Sequence, residues 1–176
     1  MKIEISMSLE RIEDVGDRPL AIDADIEADP KNWGAMSRQL WQCADLLLAN
    51  DKKTYCQAWM LYGLAIETAL KGFLLAWKDG PYQGSAEQRL KDIIGECRHD
   101  LQKLYKKVMP GDIDERTQKC LQFAAECIQW RGKYPSPSAG QLKDSKFWAS
   151  ISVSPGPVLR DLHEFLLNNL EPKQQP

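Results

Sequence analysis

The stretch YGLAIETALKGFLLAWK, residues 62–78, constrains the fold more than any other part of this chain. It is the most apolar segment, yet Glu67 and Lys71 sit in its middle. Thr54 or Asp51 stands where a helix cap is expected, and Asp79-Gly80-Pro81 stops the pattern, so the segment reads as a helix over roughly 54–78. Wound at about 100° per residue, Tyr55, Trp59, Tyr62, Ile66, Leu70, Phe73 and Trp77 fall on one side, and Leu61, Leu64 and Leu75 fall roughly opposite. A helix that is apolar on two sides has to be covered on two sides, which makes this one central. Glu67 and Lys71 lie in the seam between the arcs, with Met60 and Lys78. As a solvated i,i+4 pair they would contribute only about 0.2–0.5 kcal/mol. As a partly buried pair in a cleft they would need further partners, because desolvation of a lone pair can exceed its attraction.

The rest of the chain supplies the cover. Residues 1–33 alternate weakly (Ile3, Ile5, Met7, Leu9, then Leu20, Ile22, Ile26) and read as short strands or an extended arm, broken by ADPKN. From there a helical period holds, with Met36, Leu40, Ala44, Leu47 and Leu48 forming one stripe over about 35–49. Residues 86–95 make a short helix. Another starts at His99 or Asp100, carries Leu101, Leu104, Tyr105 and Val108, and ends at Met109-Pro110-Gly111. A helix over about 113–131 presents Thr117, Leu121, Ala124, Ile128 and Arg131. After a Pro/Ser-rich loop and a strand-like FWASISV, a last helix opens at Ser154-Pro155 with Leu159, Leu162, Phe165 and Leu166 in line. The fold class is therefore all-α: an antiparallel bundle of about five helices over 34–176, preceded by an acidic arm over 1–33.

Charge is unevenly spread. Residues 1–31 hold nine acids against four bases, which leaves the remainder mildly basic although the whole chain is −2. The arm is either a solvated lead-in or a shield over a basic surface. Arg89, Lys91, Arg98, Lys103, Lys106 and Lys107 make residues 89–107 the most basic zone. Lys103 and Lys107 share a face there, which suits phosphate contacts and equally suits a solvated helix. Five scattered cysteines without a CxxC pair, and only two histidines, assemble no zinc pattern and fit reduced thiols in a cytoplasmic protein. No cofactor is expected. The N-terminus is too charged for a signal peptide, and no unbroken run of about 18 apolar residues exists, so no membrane span is expected. No Gly-rich phosphate loop, GxSxG or HExxH occurs.

AIETALKGFLLAW, then RHDLQKLY, then WRGKYP after the next helix resemble the HEPN superfamily of helical domains. Its divergent members carry Glu-x-x-x-Lys on a long helix, a (G)H-[DS]-L-x-x-L helix start and an Arg/Tyr-rich end on the next helix. The matching residues are Glu67, Lys71, His99, Asp100, Leu101, Leu104, Arg131 and Tyr134, and the likeness covers about residues 36–135. It implies a helical bundle, commonly a homodimer. Relatives act as RNases, as RNA- or nucleotide-binding modules and as members of toxin–antitoxin or antiviral systems, with a protein partner encoded nearby. The RNase branch has Arg-x(4–6)-His, which is absent here. Arg98 adjoins His99, Arg89 is too far upstream, and Arg160 and His163 are too close. The resemblance thus implies a non-catalytic module that binds RNA, a nucleotide or a protein. A divergent RNase using His99 and a structural dimerisation domain are the alternatives. Glu67, Lys71, Arg98, His99, Asp100, Arg131 and Tyr134 are the candidate ligand residues. Asp100 is either a first-turn acid or the orienter of His99, and a cluster of Glu67, Lys71, His99 and Arg131 requires that three helices meet at the seam.

Overall fold

A computed structural model describes residues 29–50, 54–77, 79–131 and 156–170. Among them are six helices and no strand: α1 (Pro30–Asn50), α2 (Tyr55–Ala76), α3 (Ala86–Cys97), α4 (Leu101–Val108), α5 (Glu115–Glu126) and α6 (Gly156–Leu170). α5 runs on into a π-helical turn, Cys127–Arg131. The all-α bundle is thus observed. Residues 1–28 of the arm, the strand-like segment with Trp148, and Tyr134 lie outside the described residues.

α2 is the central helix, in contact with each of the other five. Trp59, Tyr62, Ile66 and Leu70 are buried on one flank and Leu75 on another, so both apolar arcs are covered. By length and composition alone α2 would also cross a membrane, but 78% of its most apolar window is buried within the bundle. Two glycines let neighbours reach its backbone. A Cβ on Gly63 would meet Ile128 of the π-turn at 2.9 Å and the Ala124 carbonyl of α5 at 3.0 Å; one on Gly72 would meet Trp33 Cβ of α1 at 2.8 Å. Side chains at these positions would hold α5 and α1 away from the core.

Local chemistry sets the boundaries. Ser85, Asp100 and Asp114 cap α3, α4 and α5 by accepting from the backbone N–H groups of Gln88, Lys103 and Thr117. The ADPKN segment, expected to break the chain, instead starts α1. Asp29 accepts from Lys31 N at 2.9 Å, and Pro30 takes the first helical position, where a missing N–H costs nothing. Residues 30–33 therefore belong to the bundle, and Trp33 packs against its core. Thr54 does not cap α2 with its side chain; its hydroxyl donates back to the Leu47 carbonyl of α1. The inward face of α1 is also rotated from the expected stripe: Gly34, Ser37, Trp41 and Ala44 are buried, while Met36 is 57% exposed. Ser37 tolerates burial because its hydroxyl is hydrogen-bonded, which hydropathy alone does not register. On α6, Leu159, Leu162 and Leu166 point inward as expected and Leu170 joins them, whereas Phe165 of the expected stripe is 42% exposed.

Candidate functional site

The seam on α2 is buried. The side chains of Glu67 and Lys71 are 6% and 9% exposed, so the solvated-pair reading does not apply. One carboxylate serves two nitrogen donors from different elements. Glu67 Oε1 accepts from Lys71 Nζ at 2.5 Å, and Glu67 Oε2 accepts from His99 Nδ1 at 2.9 Å. The partner that a buried pair requires is thus His99, which is half exposed. A carboxylate can only accept, so Nδ1 carries the proton and Nε2 is left for an outside group.

His99 is presented by a tight turn between α3 and α4. Asp100 N donates to Cys97 O at 2.8 Å, closing a four-residue turn with Arg98 at its second position. Arg98 has φ 35° and ψ −114°, close to the type II′ geometry that favours glycine. An arginine there is strained by about 1–3 kcal/mol. Asp100 spends its carboxylate on the α4 cap, so it is Glu67, not Asp100, that orients the imidazole.

His99 borders an open groove of about 450 Å³. One bank is formed by His99, Asp100 and Gln102 at the start of α4. The other is a stripe along α5 and its π-turn: Gln118, Gln122, Ala125, Glu126 and Gln129. Gln102 ties the banks together by donating from Nε2 to the Gln118 carbonyl at 3.3 Å. No lysine or arginine is among the described residues that line it. Lys71, the nearest buried cation on α2, is turned to Glu67.

The basic zone is largely turned upon itself. Lys91 pairs with Glu87 at 3.1 Å, while Lys103 and Lys107 converge on Glu96 at 3.3 and 3.0 Å. Tyr82 adds its hydroxyl to Glu96 at 2.8 Å, and Lys107 sits over the Tyr82 ring at 4.9 Å. The Tyr82 hydroxyl first, and then Lys107, hold the Glu96 carboxyl down at about 2. Burial and the same bond push the Tyr82 phenol well above its usual range. Arg98 and Lys106 are exposed and Arg89 is half-buried. Arg131 closes the π-turn, and its side chain, like Tyr134, lies outside the described residues. Of the expected ligand cluster, then, the structure brings together Glu67, Lys71 and His99.

A second polar insertion escaped the sequence reading. Ser37 of α1 donates to the Ala65 carbonyl of α2 at 2.8 Å and lies 2.7 Å from Nε2 of His163 on α6. Since the serine proton is used on Ala65, His163 donates to Ser37 Oγ. Its ring stacks on Trp41 with centroids 4.4 Å apart. Burial, and then the Arg38 charge, pull the His163 imidazole down to about 4. Nearby, the Tyr62 hydroxyl donates to Asp45 at 2.5 Å, with Arg160 3.9 Å from the same carboxylate. Neither Ser37 nor His163 belongs to the apolar stripes of α1 and α6, so nothing in the period announced this lock.

None of the five cysteines forms a disulfide. Among the described residues no group of three or more His, Cys, Asp or Glu side chains is placed to hold a metal ion. Chemically, the site offers one oriented imidazole at the rim of an amide- and carboxylate-lined groove. No protein-family model, curated protein or solved structure matches the chain.

Proposed function

We propose that the chain is a non-catalytic, HEPN-like helical module that binds RNA or a nucleotide in the groove beside His99. In this reading it acts with a protein partner encoded nearby, in a toxin–antitoxin or phage-defence setting, as the sequence resemblance implies. The observation that carries it is the relay Lys71–Glu67–His99. A buried lysine fixes a carboxylate, the carboxylate fixes an imidazole, and the imidazole faces an open polar groove. A histidine needed only for packing would not be left 48% exposed with its second nitrogen directed away from its carboxylate.

The same orienting carboxylate also favours a second reading, that His99 is the acid–base group of a divergent RNase. The groove lining works against it, because the described residues that line it include no lysine or arginine to steady the charge of a phosphodiester transition state.

One experiment separates the two. Fluorescence anisotropy with a labelled single-stranded RNA, wild type against His99→Ala, is expected to give micromolar binding that the variant weakens about tenfold, or ~1.4 kcal/mol. Gel analysis of the same mixtures is expected to show intact RNA. Cleavage lost in His99→Ala would establish the RNase instead; no binding by either protein would remove the RNA reading.

A further inference from the structure

Building on the binding reading above, we infer that the groove takes the neutral, hydrogen-bonding edge of its ligand, a nucleobase, and leaves the phosphate outside. The argument comes from what lines it. Four glutamine amides line it, at 102, 118, 122 and 129; Gln102 and Gln122 each have one N–H engaged, by the Gln118 carbonyl and by Glu126, and keep a second N–H and the amide oxygen. Asp100 and Glu126 add carboxylates, and His99 adds one ring nitrogen. A phosphate placed there would meet two carboxylates and no lysine or arginine, so like charge repels it with nothing to offset the loss of water. The donor–acceptor edge of a base carries no net charge and matches amides, carboxylates and imidazole in kind.

The arrangement of the stripe strengthens this. Gln118, Gln122, Glu126 and Gln129 follow one another at helical spacing along α5 and its π-turn, so they form one continuous row. Gln122 Nε2 lies 3.5 Å from Glu126 Oε1, so its amide oxygen is not used in that bond, and both residues line the groove. Across the gap, His99 is held by Glu67, and Gln102 is bound to the α5 backbone. Both banks are therefore pre-set, which lowers the ordering cost of binding. The lysines that would supply phosphate affinity point elsewhere: Lys103 and Lys107 are spent on Glu96.

The test compares a labelled single-stranded RNA with an abasic sugar–phosphate oligomer of the same length and charge, each at about 50 and 200 mM salt. Base-edge recognition predicts at least tenfold weaker binding of the abasic oligomer. It also predicts a shallow salt dependence for the RNA, below the slope of two phosphates. Gln122→Ala, on an exposed face and checked for helicity by circular dichroism, is expected to weaken RNA binding about fivefold. Equal binding of the two oligomers, or RNA binding indifferent to Gln122→Ala, overturns the inference while the binding function stands. If neither oligomer binds, the function itself falls, and this inference with it.

Discussion

His99 and His163 are both tied to α2, His99 directly through Glu67 and His163 through Ser37 of α1, which bonds Ala65 on the opposite side. Glu67 and Ala65 are two residues apart, about 200° around the helix. His99 reaches its side from the α3–α4 turn, bonds a charged carboxylate and keeps half its ring in solvent. His163 reaches the other from α6, bonds a neutral hydroxyl, stacks on Trp41 and is 5% exposed. The charged insertion ends at a groove; the neutral one ends in the core. Imidazole is thus used here once as an interior spacer that must stay uncharged and once as the terminus of a charge chain that leads to water. What distinguishes the two is the partner each was given, an acceptor with formal charge or a hydroxyl already committed to a carbonyl.

The charged side is the more costly to break. Glu67→Leu leaves Lys71 buried without its counterion and is expected to destabilise by about 3–5 kcal/mol, a large share of a stability of about 5–15 kcal/mol. Glu67→Leu combined with Lys71→Met is expected to return to within about 1 kcal/mol of wild type, because both desolvation costs vanish together. Urea denaturation of the three proteins measures this, and a single-variant loss under about 1 kcal/mol would mean the pair is solvated after all.

The neutral side is expected to announce itself through pH. An ordinary imidazole takes a proton near 6.5, and His163 in the fold resists until about 4. Above 6.5 it is neutral in both states and stability is unaffected. As pH falls from 6.5 toward 4 the unfolded chain is protonated first, so stability is lost, by about 3 kcal/mol across the window. Arg38 opposes protonation and Asp45 favours it, with burial outweighing both. Comparing urea midpoints at pH 7 and 4.5 for wild type and His163→Phe isolates the term, since phenylalanine keeps a ring against Trp41. An identical pH slope in the two proteins would show that His163 takes up its proton as readily in the fold as in the unfolded chain.

The smallest effect concerns how His99 is held up. Arg98→Gly is expected to stabilise by about 1 kcal/mol, the relief of a positive φ less the added freedom of the unfolded chain. Thermal unfolding would show it as a rise of a few degrees. A destabilised Arg98→Gly protein would mean that the arginine side chain does more for this turn than its backbone loses.

Part of the charged side could be read from the chain before any coordinates. The two apolar arcs of α2 located Glu67 and Lys71 in a seam but left a solvated and a buried pair both open; a buried pair needed further partners, and His99 was a candidate, beside Arg131, only through the family resemblance. The start of α4 was legible to within one residue, at His99 or Asp100, since a short acid before an apolar period suits a cap. The neutral side was not. Ser37 scores as polar and Met36 as apolar, so periodicity turned α1 the wrong way; what buries Ser37 is a carbonyl 28 residues ahead and a histidine 126 residues away. The groove was hidden for the same reason, because glutamines along an exposed stripe look like ordinary solvated surface until a second helix is set beside them. Local rules report what a residue prefers, and these residues were placed by distant partners.

The missing side chain at residue 63 reaches further than the contact it permits. With only a hydrogen there, α5 lies directly on α2, and its outward glutamines come to rest at a set distance from the α4 bank, which sits on the same central rod. One atom in the interior therefore acts as a gauge for a recess on the surface: enlarge it, and α5 would shift as a unit, carrying the whole glutamine row away from the imidazole it faces.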